Sequence, residues 1–208
     1  MPLQNRVNPR GEIFRTISRG TMLGNRGGAI HNHKQEIVRQ FKSRQWIACV
    51  LEFKGRRRTV MSPNRYTELF FLDEAVALAA GHRPCAECRC ESFNAFRHAW
   101  QPQRKVPAPE IDVELHHARI DKQGQKVTYA APLDNLPDGA FVLMEDASYL
   151  VWQKALLLWS PEGYIERHER AAGLTVDVLT PRPIVECIRR GYQPAVHDSA
   201  VTLLSRPN

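Results

Sequence analysis

The sequence contains no apolar segment long enough to cross a bilayer. Its longest apolar runs, Ala75–Ala80 and Ala155–Trp159, are far shorter than the roughly 20 residues that a membrane-spanning helix needs. The N-terminal stretch 1–10 lacks the apolar core of a signal peptide. We therefore expect a cytoplasmic protein with no membrane partner.

Cysteine is sparse, and acidic residues are outnumbered by basic ones. Five cysteines in 208 residues, with no secretion signal, are typical of free thiols or metal ligands rather than disulfides. The 29 Lys and Arg residues exceed the 22 Asp and Glu residues and give a formal net charge of +7. A basic domain of this size suits nucleic acid or another polyanion, although the same charge also serves solubility.

A nucleotide-binding fingerprint is also missing. The glycine-rich stretch 19–28 has no GK[ST] sequence and no strand–turn–helix context, so it matches neither a Walker nor a Rossmann motif. No small-molecule cofactor is evident. The glycines would still allow the backbone to approach an anion closely, and Arg19 and Arg26 within the stretch are candidate nucleic-acid contacts.

The chain divides at a proline-rich stretch. Residues 101–109 break both the helical and the strand patterns, which predicts a linker between a unit at 1–100 and a unit at 110–208. The predicted fold class is α+β. The first unit combines a hairpin and helices with a treble-clef-like zinc knuckle, and the second is mostly β, as a curled sheet or a small barrel.

In the first unit, residues 1–44 show little hydrophobic periodicity and predict a glycine-rich arm. Strand formers and turn residues follow, and then two stretches with helical signals, the first with Asp73 as N-cap and Gly81 as terminator. The predicted elements are strands at Gln45–Phe53, Thr59–Met61 and Tyr66–Leu72 and helices at Asp73–Gly81 and Glu91–Trp100.

The second unit consists of short strand candidates separated by turn signals. They are Lys126–Tyr129, Ala140–Met144, Tyr149–Trp152, Ala155–Trp159, Tyr164–Arg167 and Leu174–Leu179, followed by a helix at Ile184–Arg190. A polar cluster precedes them. If it is a strand, Glu114 and His116 share one face opposite His117 and could form an acid–base pair, or they belong to a polar surface strand.

The sequence Arg-Pro-Cys-Ala-Glu-Cys at 83–88 is the sharpest motif. Two cysteines separated by two residues can direct both sulfurs at one ion, and thiolates are preferred ligands of structural zinc. A thioredoxin-like redox pair is the alternative. Because a helix and a glycine turn, rather than an apolar parallel strand, lead into Cys85, we favour Cys85 and Cys88 as metal ligands.

The stretch Phe70–Cys88 combines an aromatic strand, an alanine-rich helix that ends at Gly81, and the Arg-Pro-Cys-x-x-Cys turn. In these features it resembles the second half of the metal-binding domain of the bacterial Ada alkylation-response family. The resemblance implies zinc bound through four cysteines, contact with DNA, and a ligand cysteine that accepts a methyl group from a phosphotriester.

The chain departs from this pattern at Lys54–Arg58, where the family has its first cysteine pair and this sequence has none. The methyl-accepting residue has no counterpart, so methyl transfer is not carried over to this chain. Any further zinc ligands must come from elsewhere. Cys49 is our third candidate, with a buried free thiol as the alternative, and His31, slightly ahead of His33, is the next because imidazole is a common zinc donor.

An arginine-rich turn follows the first predicted strand. Arginine binds phosphate through paired donors, so the turn is a candidate nucleic-acid contact, with a solvated turn as the alternative. The residues concerned are Lys54, Arg56, Arg57 and Arg58. Together with the motif and the net charge, they predict a zinc-binding protein that contacts nucleic acid, DNA rather than RNA, with the metal in a structural role.

Two other classes of function stay open. A metal-dependent hydrolase or nuclease would leave one zinc position open for water, with His31, His116 and His197 as candidate acid–base groups. A protein-interaction module would instead present the basic face to an acidic partner.

Overall fold

The structure of the protein is a computed structural model that describes residues 1–56 and 59–205. Within them, helices accompany two six-stranded sheets, which confirms the α+β class. No helix in the described ranges is long and apolar enough to span a membrane.

The first sheet is built largely from the N-terminal segment, and its strand order is β2-β1-β5-β3-β4-β6. Its strands are β1 (Gln4–Val7), β2 (Ile13–Arg15), β3 (Met22–Arg26), β4 (Trp46–Cys49), β5 (Leu69–Phe71) and β6 (Arg83–Pro84). The prediction of a glycine-rich arm at 1–44 is therefore wrong. Gly24 illustrates the reason: a Cβ at this position would lie 2.3 Å from the carbonyl oxygen of Ile47, so glycine here permits close strand pairing.

The strand predicted at Gln45–Phe53 is present but ends at Cys49. The predicted returning strand at Thr59–Met61 is wrong, because these residues lie in a turn. No hairpin partner for β4 follows it directly in the described part of the chain. Strand β4 instead pairs antiparallel with β3 and parallel with β6, with Ala48 opposite Pro84.

Two helices flank the cysteine motif as predicted. Helix α1 (Glu74–Ala79) is capped by Asp73, whose carboxylate accepts the Val76 N–H at 2.9 Å, and Gly81 follows with a φ of 86°. Helix α2 (Cys90–Trp100) begins just after the motif. Capping signals thus located α1, whereas the helical spacing of Phe93, Phe96 and Trp100 indicated α2.

A third helix, α3 (Ala108–Arg119), occupies the region predicted as the end of the linker and a polar strand. The strand placement of Glu114, His116 and His117 is therefore wrong. Pro109 lies in the first turn of α3, where its missing N–H costs no helical hydrogen bond. The proline-rich stretch marks the start of a helix rather than only a break.

The second sheet is open and antiparallel, with strand order β11-β10-β9-β8-β12-β7, so the small barrel is not formed. Its strands are β7 (Tyr129–Pro132), β8 (Phe141–Met144), β9 (Ala147–Trp152), β10 (Ala155–Ser160), β11 (Gly163–Glu169) and β12 (Thr175–Val178). A 3-10 helix lies at Leu133–Asn135, and helices α4 (Arg182–Arg189) and α5 (Asp198–Ser205) follow the sheet. Strand β7 lies C-terminal to its predicted position at Lys126–Tyr129 because Lys126 forms only an isolated bridge with Ile120.

One buried apolar cluster joins the two sheets. It contains Val7 and Phe71 from the first half of the chain and Phe141, Leu157 and Tyr164 from the second. The predicted units at 1–100 and 110–208 therefore share a core, while the unit boundary itself stays a prediction. The first sheet and its parallel pair β4–β6 position the cysteines.

Candidate metal centre

Three cysteines converge where β4 and β6 end side by side. The parallel register places Ala48 opposite Pro84, so the next residue on each strand is a cysteine, Cys49 and Cys85. The main-chain N–H of Cys85 donates to the carbonyl of Ala48 at 2.9 Å. The turn 85–88 then brings Cys88 back to the same place before α2 begins.

The Sγ atoms of Cys49, Cys85 and Cys88 all lie within 4.8 Å of one another. Three thiolates bound to one tetrahedral zinc ion, each at about 2.3 Å, would be about 3.8 Å apart, so a small contraction of the cluster would bring them to this spacing. Cys85 is buried, and the other two cysteines are half-buried. The donor set and its spacing fit a metal ion such as zinc.

The environment favours a thiolate at Cys85. The pKa of Cys85 is lowered to about 5, mainly by a hydrogen bond from the Cys49 thiol. Burial opposes this change, and the main-chain N–H groups of Cys88 and Glu87 add to it. The Cys85 hydrogen bond and burial raise the pKa of Cys49, and burial raises the pKa of Cys88. One negative charge is thus concentrated among three sulfurs, and a metal ion would displace the remaining thiol protons.

The position of Cys49 argues against the alternative that Cys85 and Cys88 form a redox pair. A thioredoxin-like site has two cysteines at the start of a helix, whereas here Cys49 approaches both members of the motif. All five cysteines are free thiols. The arrangement therefore favours metal binding over dithiol chemistry.

A cavity of about 600 Å³ opens beside the three sulfurs. Its other lining residues include Phe53, Arg56, Tyr66, Glu68 and Phe70.

Glu68 is a functional candidate that the sequence reasoning missed. Its side chain is only 3 % exposed, and its Oε2 accepts the main-chain N–H of Met61 at 2.7 Å. No ion pair of Glu68 is found within residues 1–56 and 59–205, which is unusual for a carboxylate buried this deeply. The one signal in the sequence is a single acidic residue directly before the apolar strand β5.

Cations lie against two aromatic rings that line this cavity, Phe53 and Phe70. The Lys54 ammonium lies 5.1 Å and the Arg56 guanidinium 5.2 Å from the ring centre of Phe53. The Arg6 guanidinium on β1 lies 4.8 Å from the ring centre of Phe70 on the neighbouring strand β5. Arg56 also forms an exposed ion pair with Glu87 at 2.8 Å, between the two motif cysteines.

The other predicted nucleic-acid contacts lie in different environments. Arg19 is exposed and close enough to Arg6 that its charge, after the larger effect of burial, lowers the pKa of Arg6. Arg26 is only 3 % exposed and donates to the carbonyl of Gly11 at 2.8 Å, so it does not present a cation at the surface. Arg57 and Arg58 lie outside the described residues.

The predicted histidine ligand is engaged elsewhere. His31 is buried, with Nδ1 2.6 Å from the Thr67 hydroxyl oxygen and Nε2 3.2 Å from the Ser62 carbonyl oxygen. Among the described residues, the group of converging ligands contains the three cysteines and not His31. Cys90 is also outside it, with its exposed sulfur next to the Asn94 amide.

The remaining acid–base candidates do not line the cavity at the cysteines. His116 lies on α3, where burial and then the Arg119 and Arg44 charges lower its pKa to about 4. The ring of His197 lies 2.9 Å from the Ser199 hydroxyl. Neither histidine is placed with Cys85 or Glu68.

Comparison with protein-family models, curated proteins and solved structures finds no match for this chain. What the site can do must therefore be argued from its own geometry.

Proposed function

We propose that this protein binds zinc through Cys49, Cys85 and Cys88 and contacts nucleic acid at the rim of the adjoining cavity. The observation that carries the proposal is the convergence of three sulfurs from two segments far apart in sequence, the end of β4 and the turn after β6. Three thiolates suit zinc better than magnesium or calcium, which prefer oxygen ligands.

The nucleic-acid part of the proposal is supported by the composition of the rim. Lys54, Arg56 and Arg6 each lie against an aromatic ring that lines the cavity. Cations suit phosphates, and aromatic faces suit stacked bases. The preference for DNA over RNA follows from the resemblance of Phe70–Cys88 to the Ada metal-binding domain and stays part of the proposal.

The experiment compares binding of the purified protein to generic single-stranded and duplex DNA and to RNA over a series of salt concentrations. Lys54→Gln with Arg56→Gln should weaken binding and reduce the slope of log K against log salt by about one for each phosphate that the protein no longer neutralises. The matched control is Lys154→Gln with Arg167→Gln, which removes the same charge from exposed positions on the second sheet. Equal losses of affinity in both double variants would contradict an interface at this rim.

The cavity supports a second candidate, a metal-dependent hydrolase or nuclease. It is lined by all three cysteines and by buried Glu68, which is the arrangement expected if one metal position faces a substrate. Zinc in such centres supplies an activated water molecule. The role of Glu68 would then be to accept a proton in the cavity, since its Oε2 is oriented by the Met61 N–H.

Glu68→Gln separates the two candidates. In the hydrolase, this variant should retain full zinc and lose hydrolysis of single-stranded oligonucleotides by about 100-fold or more. In the structural alternative, neither the wild type nor the variant hydrolyses them, while both hold zinc.

A further inference from the structure

A second cavity, of about 290 Å³, is lined by Arg10, which forms an ion pair with Asp146, and by three further cations from three separate parts of the chain. They are Arg26 on β3, Arg119 at the end of α3, and Lys126 in the loop before β7. We call this the cation cavity. It shares none of its lining residues with the cavity at the cysteines, so it is a separate feature of the fold.

The two arginines are buried without a carboxylate partner. Arg26 is 3 % and Arg119 is 1 % exposed, yet neither they nor Lys126 form an ion pair with any residue in ranges 1–56 and 59–205. Buried Arg83 provides the contrast, because it holds both carboxylate oxygens of Asp112 at 2.8 Å.

The nearest acids do not neutralise the cation cavity. Asp112 is the acid whose charge acts on Arg119, but its two oxygens are already occupied by Arg83. Glu12 lines the cavity from an exposed position, and its carboxylate accepts the Asn8 side-chain N–H at 2.7 Å. The net charge of the lining is therefore strongly positive.

Backbone carbonyls orient the cations without cancelling their charge. Arg26 donates to Gly11 and Arg119 donates to Gly81, both at 2.8 Å, and the Lys126 ammonium donates to Ala79 at 2.6 Å. Arg26 also donates to the Gln40 carbonyl and the His82 ring, and Arg119 also donates to the Arg44 carbonyl and the His116 ring. Because a guanidinium has five N–H donors and an ammonium group has three, each cation still keeps donors that these contacts do not use.

Trp46 holds the two guanidiniums in place. The Arg26 and Arg119 guanidinium carbons each lie 4.0 Å from the ring centre of Trp46. A shared aromatic ring stabilises both cations and fixes their planes. The donors are thus preorganised although the like charges repel each other.

The accumulation of charge has an energetic consequence. Burial, and then the charges of Arg26 and Arg119, lower the pKa of Lys126 to about 7. Burial also lowers the pKa of both arginines. Unpaired buried cations destabilise a fold unless a counter-charge compensates them, and the described residues do not supply one.

We propose that the cation cavity binds a phosphate dianion, either free or as the terminal group of a phosphomonoester. A tetrahedral dianion can accept hydrogen bonds from three cations at once, and guanidinium groups suit phosphate oxygens through paired donors. The ligand supplies the negative charge that the lining lacks.

The test is calorimetric titration of the full chain with inorganic phosphate at constant ionic strength, with chloride as the blank. The wild type should bind one phosphate per chain and unfold at a higher temperature when phosphate is present. Lys126→Gln removes one cation and should weaken phosphate binding by about tenfold or more. The matched control is Lys122→Gln, an exposed position in the neighbouring turn that does not line the cavity, and it should bind phosphate like the wild type.

Gln40→Glu is a second variant, which adds a negative charge instead of removing one of the three cations. Gln40 is exposed and lines the mouth of the cation cavity, so a carboxylate there should repel phosphate while the fold is kept. A parallel titration with adenosine monophosphate identifies the source. If adenosine monophosphate binds more tightly than inorganic phosphate, the site is assigned to a phosphomonoester. If it binds more weakly, the site is assigned to the free ion.

Binding that does not saturate in the wild type would overturn the proposal. So would equal phosphate affinity in the wild type, Lys126→Gln and Gln40→Glu.

Discussion

Cys49 and Cys85 lie side by side because the strands that precede them pair in parallel, with Ala48 opposite Pro84 and the Cys85 N–H bound to the Ala48 carbonyl. A backbone register therefore sets the spacing of the sulfurs. Cys88 joins them through a short turn. The candidate centre is part of the first sheet rather than a separate metal-binding lobe.

The first prediction concerns the contribution of Cys49 to metal binding. Cys49→Ser replaces one of three thiolates by a poorer zinc donor, so the purified variant should hold far less than one zinc ion per chain. Cys90→Ser is the matched control because Cys90 is close in sequence to the motif but outside the converging group. Metal analysis of both variants and the wild type is the measurement. A wild type without zinc, or a Cys49→Ser variant with full zinc, would contradict the proposed ligand set.

How much of this site could be predicted depends on how local its signals are. Cys85 and Cys88 form a short motif, and the cap at Asp73 and the terminator Gly81 locate α1 from adjacent residues. Cys49 could be proposed as a ligand but not placed, because its position depends on a parallel pairing across many residues.

Long-range pairing also explains the errors. The glycines of the N-terminal segment suggest an extended arm or loop that packs on the domain, yet Gly24 is required by the close approach of the Ile47 carbonyl in a sheet. His31, whose role as a ligand stays a prediction, lies with Nδ1 2.6 Å from the hydroxyl of Thr67, which comes from a distant segment. The cation cavity could not be predicted either, since Arg26 and Lys126 carry no shared motif.

The second prediction concerns the ion pair beside the motif. Asp112→Asn leaves the Arg83 guanidinium, 1 % exposed, without its carboxylate, and should lower the free energy of unfolding by about 3–5 kcal/mol. Chemical denaturation measures this change. Glu110→Gln is the control because it removes an exposed carboxylate from the same helix, and it should have little effect. Similar losses of stability in the two variants would show that the contribution of the Arg83–Asp112 pair to the free energy of unfolding does not depend on its burial.

The third prediction concerns the pH dependence of stability caused by Lys126. Burial and the charges of Arg26 and Arg119 lower its pKa from 10.5 to about 7 in the folded state. Between these values the unfolded chain holds a proton on this residue that the folded chain has released. The free energy of unfolding should therefore rise as the pH increases from about 7 to 10.5.

The sign follows from the number of bound protons. Across the window the unfolded state binds more protons than the folded state, so the free energy of unfolding increases with pH, and the penalty of the buried charge is complete below about pH 7. Other groups also titrate in this range, so the measurement is the difference between the wild type and Lys126→Gln in phosphate-free buffer.

The rise with pH should be smaller in Lys126→Gln, while Lys122→Gln should follow the wild type. The other charged groups that line the cation cavity are Arg10, Glu12 and the two arginines Arg26 and Arg119. They are the same in the wild type and in both variants. Parallel curves for the wild type and Lys126→Gln would exclude a lowered pKa at Lys126.

The fourth prediction concerns cooperativity between the two halves of the chain. The Tyr164 hydroxyl on β11 donates to Asp73 at 2.8 Å, and the same carboxylate accepts the His197 N–H at 2.9 Å and caps α1. Tyr164→Phe removes one hydrogen bond to a buried carboxylate and should lower the free energy of unfolding by about 1–3 kcal/mol.

Asp73 caps α1 and accepts a hydrogen bond from Tyr164 on the second sheet. The loss of stability in Tyr164→Phe should therefore appear equally in probes of the first and the second sheet. Zinc release reports the first sheet, and hydrogen exchange of the β9–β10 amides reports the second. Coincident transitions, shifted together in Tyr164→Phe, are expected for halves that share the core around Phe71 and Phe141. A shift confined to the second sheet would instead indicate that the stretch 101–109 separates two independently unfolding units, as the proline-rich sequence by itself predicts.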